Sequence, residues 1–441
     1  MASFAAMLAI SAVELDKAVT EDWLLRLKWS YTGGAEGASL LLGTVAGSMI
    51  AIAGTVFSMT LVAMSLASSQ LGPRLLRNFM RDTANQFVLG TFVATFVYCL
   101  LVLRTIRRAD EVAFVPHLSV SIGLLLAMVS IGVLIYFIHH VSVSIQADEV
   151  IARVGKELKI GVNRLFPEHL GKPESKASEA PSKAELTAAF AREARSIGAL
   201  EDGYLQIIDP DALMALAAQE DLLLRLERRP GHYIIKGQSL LTAWPAARVT
   251  ETLADELAAA FVLGDQRTAA QDIEFSLRQL VEIAVRALSP GINDPFTATA
   301  CVDRLSSALC LLALREMPSS YRFDDSKRLR LVAPEITFAG IVDTAFNQIR
   351  QNARSNPAVA ICMLDAIAQI AVHLQRAADA ACLHHHAGMI VRAARETVPE
   401  PYDLRAVEAA FSAATQSLNE FDGSAKIAAR TQEPLEPHDG T

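Results

Sequence analysis

The strongest constraint on this chain is a set of three long stretches without acidic or basic residues. Gly37 to Pro73 and Thr83 to Leu103 contain no Asp, Glu, Lys or Arg, and Val112 to Ala147 is interrupted only by His117, His139 and His140. Each stretch reaches or exceeds the roughly 20 residues needed to cross the hydrocarbon of a bilayer. A helix that is apolar all round has no face to offer water, so three in succession predict membrane spans, at about 39–66, 86–103 and 118–139.

The flanks of these spans are less decisive. Residues 1–13 are apolar but too short to span, and they lack the basic n-region of a signal peptide. They fit an interfacial piece or the remnant of a fourth span truncated at the N-terminus. The segment from Glu14 to Glu36 is polar and carries Trp23, Trp29 and Tyr31, so it reads as a loop at the headgroup boundary. Between the first two spans, Arg74, Arg77 and Arg81 share a helical face and are placed to meet lipid headgroups. An ordinary snorkelling flank would look the same. Lys and Arg number three each in the 68–85 loop, the 104–117 loop and the 141–160 flank, so charge does not set the orientation.

Cysteine usage supplies the orientation instead. The five cysteines form no CxxC pair and sit among apolar neighbours, as reduced, buried thiols of a cytoplasmic domain do. The net charge of -8 comes without any basic strip interleaved with aromatics, which argues against a nucleic-acid partner.

The expected organisation is mostly α. A transmembrane domain (1–140) is followed by a juxtamembrane stalk helix (141–166), a linker (167–184), a small cytosolic α+β domain (185–248), a helical cytosolic domain (249–421) and a disordered tail (422–441). In the stalk, Ile151, Val154, Leu158, Gly161 and Leu165 recur at alternating spacings of three and four, a seam suited to pairing with neighbouring subunits. In the α+β domain, YLQIID, LLLRLER, YIIKG and SLLTAW read as strands, and PDALMALAAQE as a helix capped by Asp209 with Pro210 at its first position. Periodic helical segments follow near 250–262, 268–288, 295–316, 336–353, 357–377, 380–396 and 403–419.

Two places could carry function. In the first span, Gly43, Gly47, Ala51, Gly54 and Ser58 make small-xxx-small steps, beside a hydroxyl stripe of Thr44, Ser48, Thr55, Ser58, Ser65 and Ser69. The plain reading is close helix packing with hydroxyls bonded to their own backbone; the functional one is a narrow pore lining around an oligomer axis. In the soluble part, Asp272, Glu274, Ser289, Gly291, Asn293 and Asp294 form a candidate ligand or interface loop. There the plain reading is a salt-bridge ladder through Glu274, Arg278, Glu282 and Arg286, then a tight junction between two helices. No ligand spacing specifies a metal, and His384, His385 and His386 point in different directions on a helix. No Walker loop, GxSxG or HExxH occurs, so neither an enzyme nor a cofactor is expected.

The phrases AGSMIAIAGTVFSMTLVAMSLASSQLGPRLLRNFMRD, QFVLGTFVATFVY, GYLQIID, FVLGDQRTAAQDIEF and RALSPGINDPFTA, from about residue 40 to 310, resemble the bacterial predicted membrane proteins of domain of unknown function 2254. The chain departs from that pattern at its N-terminus, where relatives show a full first span. The resemblance implies a membrane architecture and supplies no activity, substrate or catalytic residue. The expectation is an oligomeric inner-membrane protein of channel-like or passive transport function, embedded in membrane lipids, with a cytoplasmic C-terminal regulatory domain and an unknown ligand. A membrane-anchored scaffold or stress sensor without transport is the alternative.

Overall fold

The computed structural model describes residues 1–18, 31–72, 83–107, 114–144, 146–166, 190 and 193–421. Trp23, Trp29, Arg74, Arg77, Arg81, the expected linker and the expected tail lie outside the described residues. The chain divides into two compact units, Met1–Val150 and Ile151–Thr441.

The first unit consists of α1 (Ala2–Ala18), α2 (Ala35–Leu71), α3 (Thr83–Leu103) and α4 (His117–Ser144). The last three are long and apolar enough to cross a membrane, as the charge-free stretches predict. Helix α3 is the centre, packed against α1, α2 and α4. Its Phe92, Thr95, Tyr98, Cys99 and Val102 are almost completely buried, and Leu42, Ala46, Met49, Ala53 and Val56 form the face of α2 that covers them.

Helix α1 departs from the sequence reading. It continues past the apolar opening through Glu14 to Ala18, into the segment expected to be a loop. Ala5, Ala9, Ala12 and Val13 recur on one helical face and let the backbone approach its neighbours closely. Asp16 lies on that same face, so the helix has to carry a carboxylate inward with it.

Helix α5 (Ala147–Leu165), which covers most of the expected stalk, starts in the last residues of the first unit and opens the second from Ile151 on. Most of its seam is not free for neighbouring subunits: Ile151, Val154, Leu158 and Gly161 are buried within this chain, and Leu165 is half-buried, while Val162 and Phe166 are buried beside them. Gly155 lies against the side chain of Arg304 and Gly161 against that of Ile273. Arg164 donates to the Ala269 carbonyl (2.6 Å) and Arg315 to Asn163 (2.7 Å). The periodicity was that of an amphipathic helix lying on its own domain, which at two heptads looks the same as an intermolecular seam.

Beyond it come β1 (Arg195–Gly198), β2 (Gly203–Ile208), α6 (Pro210–Gln219), β3 (Leu223–Leu226), β4 (Tyr233–Ile234) and β5 (Ser239–Trp244). Helices α7 (Glu251–Ala259), α8 (Ile273–Ala287) and α9 (Pro295–Ala313) follow, with β6 (Phe261–Gly264) between the first two. The hairpin of β7 (Tyr321–Phe323) and β8 (Leu329–Val332) precedes α10 (Phe338–Asn352), α11 (Pro357–Ala371), α12 (Ala377–Thr397) and α13 (Pro401–Asn419). One sheet has the order β1-β5-β3-β8-β7, and a smaller one β4-β2-β6. Both draw strands from beyond residue 248: β8 pairs in parallel with β3, and β6 antiparallel with β2. A boundary at 248 would cut both sheets. The strands not anticipated, β1, β6, β7 and β8, have three or four residues each, too few to show alternation.

Proline-started helices follow the expected chemistry. Asp294, Asn356 and Glu400 cap α9, α11 and α13, each with Pro at the first turn. By length and hydropathy α9 also qualifies as a span, but it packs against α8 and α11 with its inward face in the core of the second unit.

Candidate functional site

The small-residue face of α2 points away from the rest of its unit. Thr44, Gly47, Ser48, Ala51, Gly54, Thr55, Ser58 and Ser65 are exposed, and Gly43 is half-buried. A Cβ placed on Gly43, Gly47 or Gly54 would meet no atom within 4 Å. Thus the close approach expected at these glycines is not made inside the chain, which instead packs α2 through Leu42, Ala46, Met49, Ala53 and Val56. Thr44 and Thr55 donate their hydroxyls to the carbonyls of Leu40 (2.7 Å) and Ala51 (3.1 Å), the back-bonding that lets a hydroxyl face hydrocarbon. Leu61 and Val62 are exposed one turn beyond Ser58, so Ser65 stands apart from the others.

The six residues of the soluble candidate loop are not brought together. Helix α8, of 15 residues, separates them by about 22 Å at 1.5 Å per residue. At its C-terminal end, the Ser289 carbonyl accepts from the amides of Ile292 (3.0 Å) and Asn293 (2.8 Å). Asn293 takes a left-handed backbone conformation, φ 50°, which Asn tolerates better than most residues. Asp294 spends its carboxylate on the amides of Phe296 and Thr297 and on the Thr297 hydroxyl, and these bonds hold its pKa below the usual carboxylate range. The geometry there is that of a helix junction.

At the N-terminal end, Asp272 and Glu274 enter a network that the sequence did not reveal. The turn Arg228-Arg229-Pro230-Gly231-His232 is laid against the start of α8. Gly231 has φ 93°, and a Cβ there would collide with the Asp272 carboxylate, so glycine is required twice over. Arg267 holds Asp272 through Nε (2.8 Å) and Nη2 (2.6 Å). Glu274 accepts from Arg229 and, at 3.0 Å, from Arg278. Burial would raise the Glu274 pKa, but the Arg278 hydrogen bond and the charges of Arg229, Arg278 and Arg267 lower it on balance. Asp272, more deeply buried and held by a single arginine, is raised, burial being the larger effect. His232 accepts on Nε2 from Arg229 Nε (3.4 Å), and burial with the charges of Arg229 and Arg228 lowers its pKa. The first rung of the expected ladder, Glu274 to Arg278, is present, and Glu274 is shared with an arginine 45 residues earlier.

A third polar site lies in the first unit. Asp16 accepts from the amides of Leu118 (2.9 Å) and Ser119 (2.8 Å) and from the Ser119 hydroxyl (2.6 Å), capping α4 from another helix. Beside it, Tyr98 donates to the Ser119 carbonyl (3.0 Å) and the Tyr31 amide donates to Ser121 (2.8 Å). The only hint in the sequence was an acid just beyond an apolar run.

A model of the predicted membrane proteins of DUF2254 matches residues 1–369. The chain belongs to the DUF2254 family. Its relatives include an uncharacterized protein of Mycobacterium bovis and two of Mycobacterium tuberculosis, each 33% identical over 394 residues, spanning 88% of this chain and 74% of the relative. No solved structure matches the chain. Membership agrees with the three apolar spans, and the DUF2254 match extends through α10 into α11.

Proposed function

We propose that this DUF2254 protein is an oligomeric, channel-like passive transport protein of the bacterial inner membrane, its second unit a cytoplasmic regulatory domain. The observation that carries the reading is the small, hydroxyl-bearing face of α2, which is exposed while the opposite face is packed. Small residues let helices of neighbouring copies meet closely, and weakly polar hydroxyls suit a narrow permeation path. The cytoplasmic placement is supported by five free cysteines. In the second unit burial pushes the Cys362 thiol to about 12 and that of Cys382 to about 11, so both stay protonated and poorly reactive.

A scaffold or stress sensor without conduction is favoured by a different observation: the hydroxyls of Thr44 and Thr55 are already bonded to their own helix. Planar-bilayer recordings separate the two. Replacing Gly47 or Gly54 by Leu adds bulk where the protomer has open space, so it leaves the monomer folded and abolishes assembly. Thr55→Val and Ser58→Ala leave assembly intact and change unitary conductance. Normal assembly of the glycine variants would remove the contact face. Wild-type conductance in the hydroxyl variants would move any pore elsewhere.

A further inference from the structure

The arginine cluster at the start of α8 has more cations than its carboxylates can pair. Arg229, Arg267 and Arg278 hold Asp272 and Glu274, and Arg228 lies close enough to act on His232 beside them. Four cations thus meet two carboxylates, an excess of two positive charges in a chain whose net charge is -8. Arg267 and Asp272 satisfy each other and are well covered, with side chains 18% and 5% exposed. The others differ. Arg229 and Arg278 share the single carboxylate of Glu274 and keep side chains 32% and 44% exposed. Arg228 has no hydrogen-bond or ion-pair partner among the described residues, and its buried Nε lacks an acceptor. His232 uses Nε2 as an acceptor, so its proton sits on Nδ1, which is also buried without a partner. Like charges are gathered here at a helix N-terminus, which adds to the positive potential.

We propose that this cluster binds an oxyanion of the phosphate class, engaged by the partly exposed guanidiniums of Arg229 and Arg278 together with the unpartnered guanidinium of half-buried Arg228. A phosphoryl group carries a charge of about -1.5 to -2 and three acceptor oxygens, which matches the surplus charge and three guanidinium forks. A lone carboxylate has only two oxygens and one charge. The phosphoryl group comes either from a free anion or from a lipid headgroup. The assignment is independent of whether the protein conducts.

The test uses the full chain purified in detergent and phosphate-free buffer, titrated with inorganic phosphate and with pyrophosphate by isothermal calorimetry. Saturable binding is expected, weakened at least tenfold in Arg228→Gln. Because Arg228 has no partner among the described residues, that variant keeps the thermal midpoint of the unliganded protein. Reconstitution in phosphatidylcholine vesicles with or without phosphatidic acid identifies the source: competition by the lipid with phosphate marks a headgroup site, and its absence a soluble anion. Binding of neither phosphate, pyrophosphate nor phosphatidic acid would overturn the proposal. So would undiminished binding in Arg228→Gln, or an equal loss in Arg392→Gln on α12, which would mark a general charge effect.

Discussion

Asp16 in the first unit and Glu274 in the second are both buried or nearly buried carboxylates, and each is satisfied in a different way. Asp16 is held by two amides and a hydroxyl, all neutral donors. Glu274 is held by two guanidiniums. Beside hydrocarbon a long cation would itself need hydration, so the dipoles of a helix N-terminus are the less costly partner. Where water reaches one side, arginines keep part of their hydration while donating to the acid. The result is that α4 is fixed by a cap from another helix, whereas the start of α8 is fixed by ion pairs that leave charge to spare.

The largest effect is expected where no water can replace a lost partner. Asp16→Ala orphans three donors at about 1–3 kcal/mol each, so several kcal/mol of stability should disappear in detergent unfolding experiments. Asp16→Asn, which keeps one acceptor oxygen, should lose less. Equal midpoints for wild type and Asp16→Ala would break the comparison. Next comes Glu274→Gln, which removes the charge facing Arg229 and Arg278. With those arginines partly exposed, the cost should be about 2 kcal/mol, read as a lowered thermal midpoint of the second unit.

The smallest effect is on pH dependence. Burial, then nearby arginines, lowers His232; burial also lowers His386, against the hydrogen bond it donates to Asp343. For a base whose folded pKa lies below the unfolded value of about 6.5, stability is complete above that value and is lost as pH falls toward the folded pKa. Glu274, lowered, keeps its contribution until pH drops below about 4.3, while Asp272, raised, acts in the opposite sense. The thermal midpoint should therefore fall between pH 7 and 5.5, less steeply in His386→Gln. A flat profile over that interval would show that neither histidine is linked to folding.

The spans were legible because absence of charge over 20 residues has one physical meaning. The caps of α6 and α9 were legible because Asp before Pro fixes a helix start. Less could be read from short strands, or from pairings across the chain. Arg229 meets Glu274, and Asp16 meets Ser119, through contacts 45 and 103 residues apart. The face of α2 was visible as a pattern of small residues, but periodicity alone could not say whether that side was covered or bare.

Strand β8 joins β3 in parallel, and Arg330 fastens the joint by donating to Asp221 (2.7 Å) and Asp324 (2.8 Å). Arg330 and Arg248 together hold the Asp221 pKa at about 2, so this fastening survives any physiological acidity. In the life of the polypeptide this has a consequence for timing. Residues 195–244 leave the ribosome with β3 as an open edge of their larger sheet, which is covered only after Val332 has been made. Until then α7, α8 and α9 form an open loop whose ends have not met, and the entropy of closing it is paid late. The second unit therefore matures as one cooperative body, and a nascent chain stalled before residue 329 presents an unfilled strand edge to the cell's chaperones and proteases.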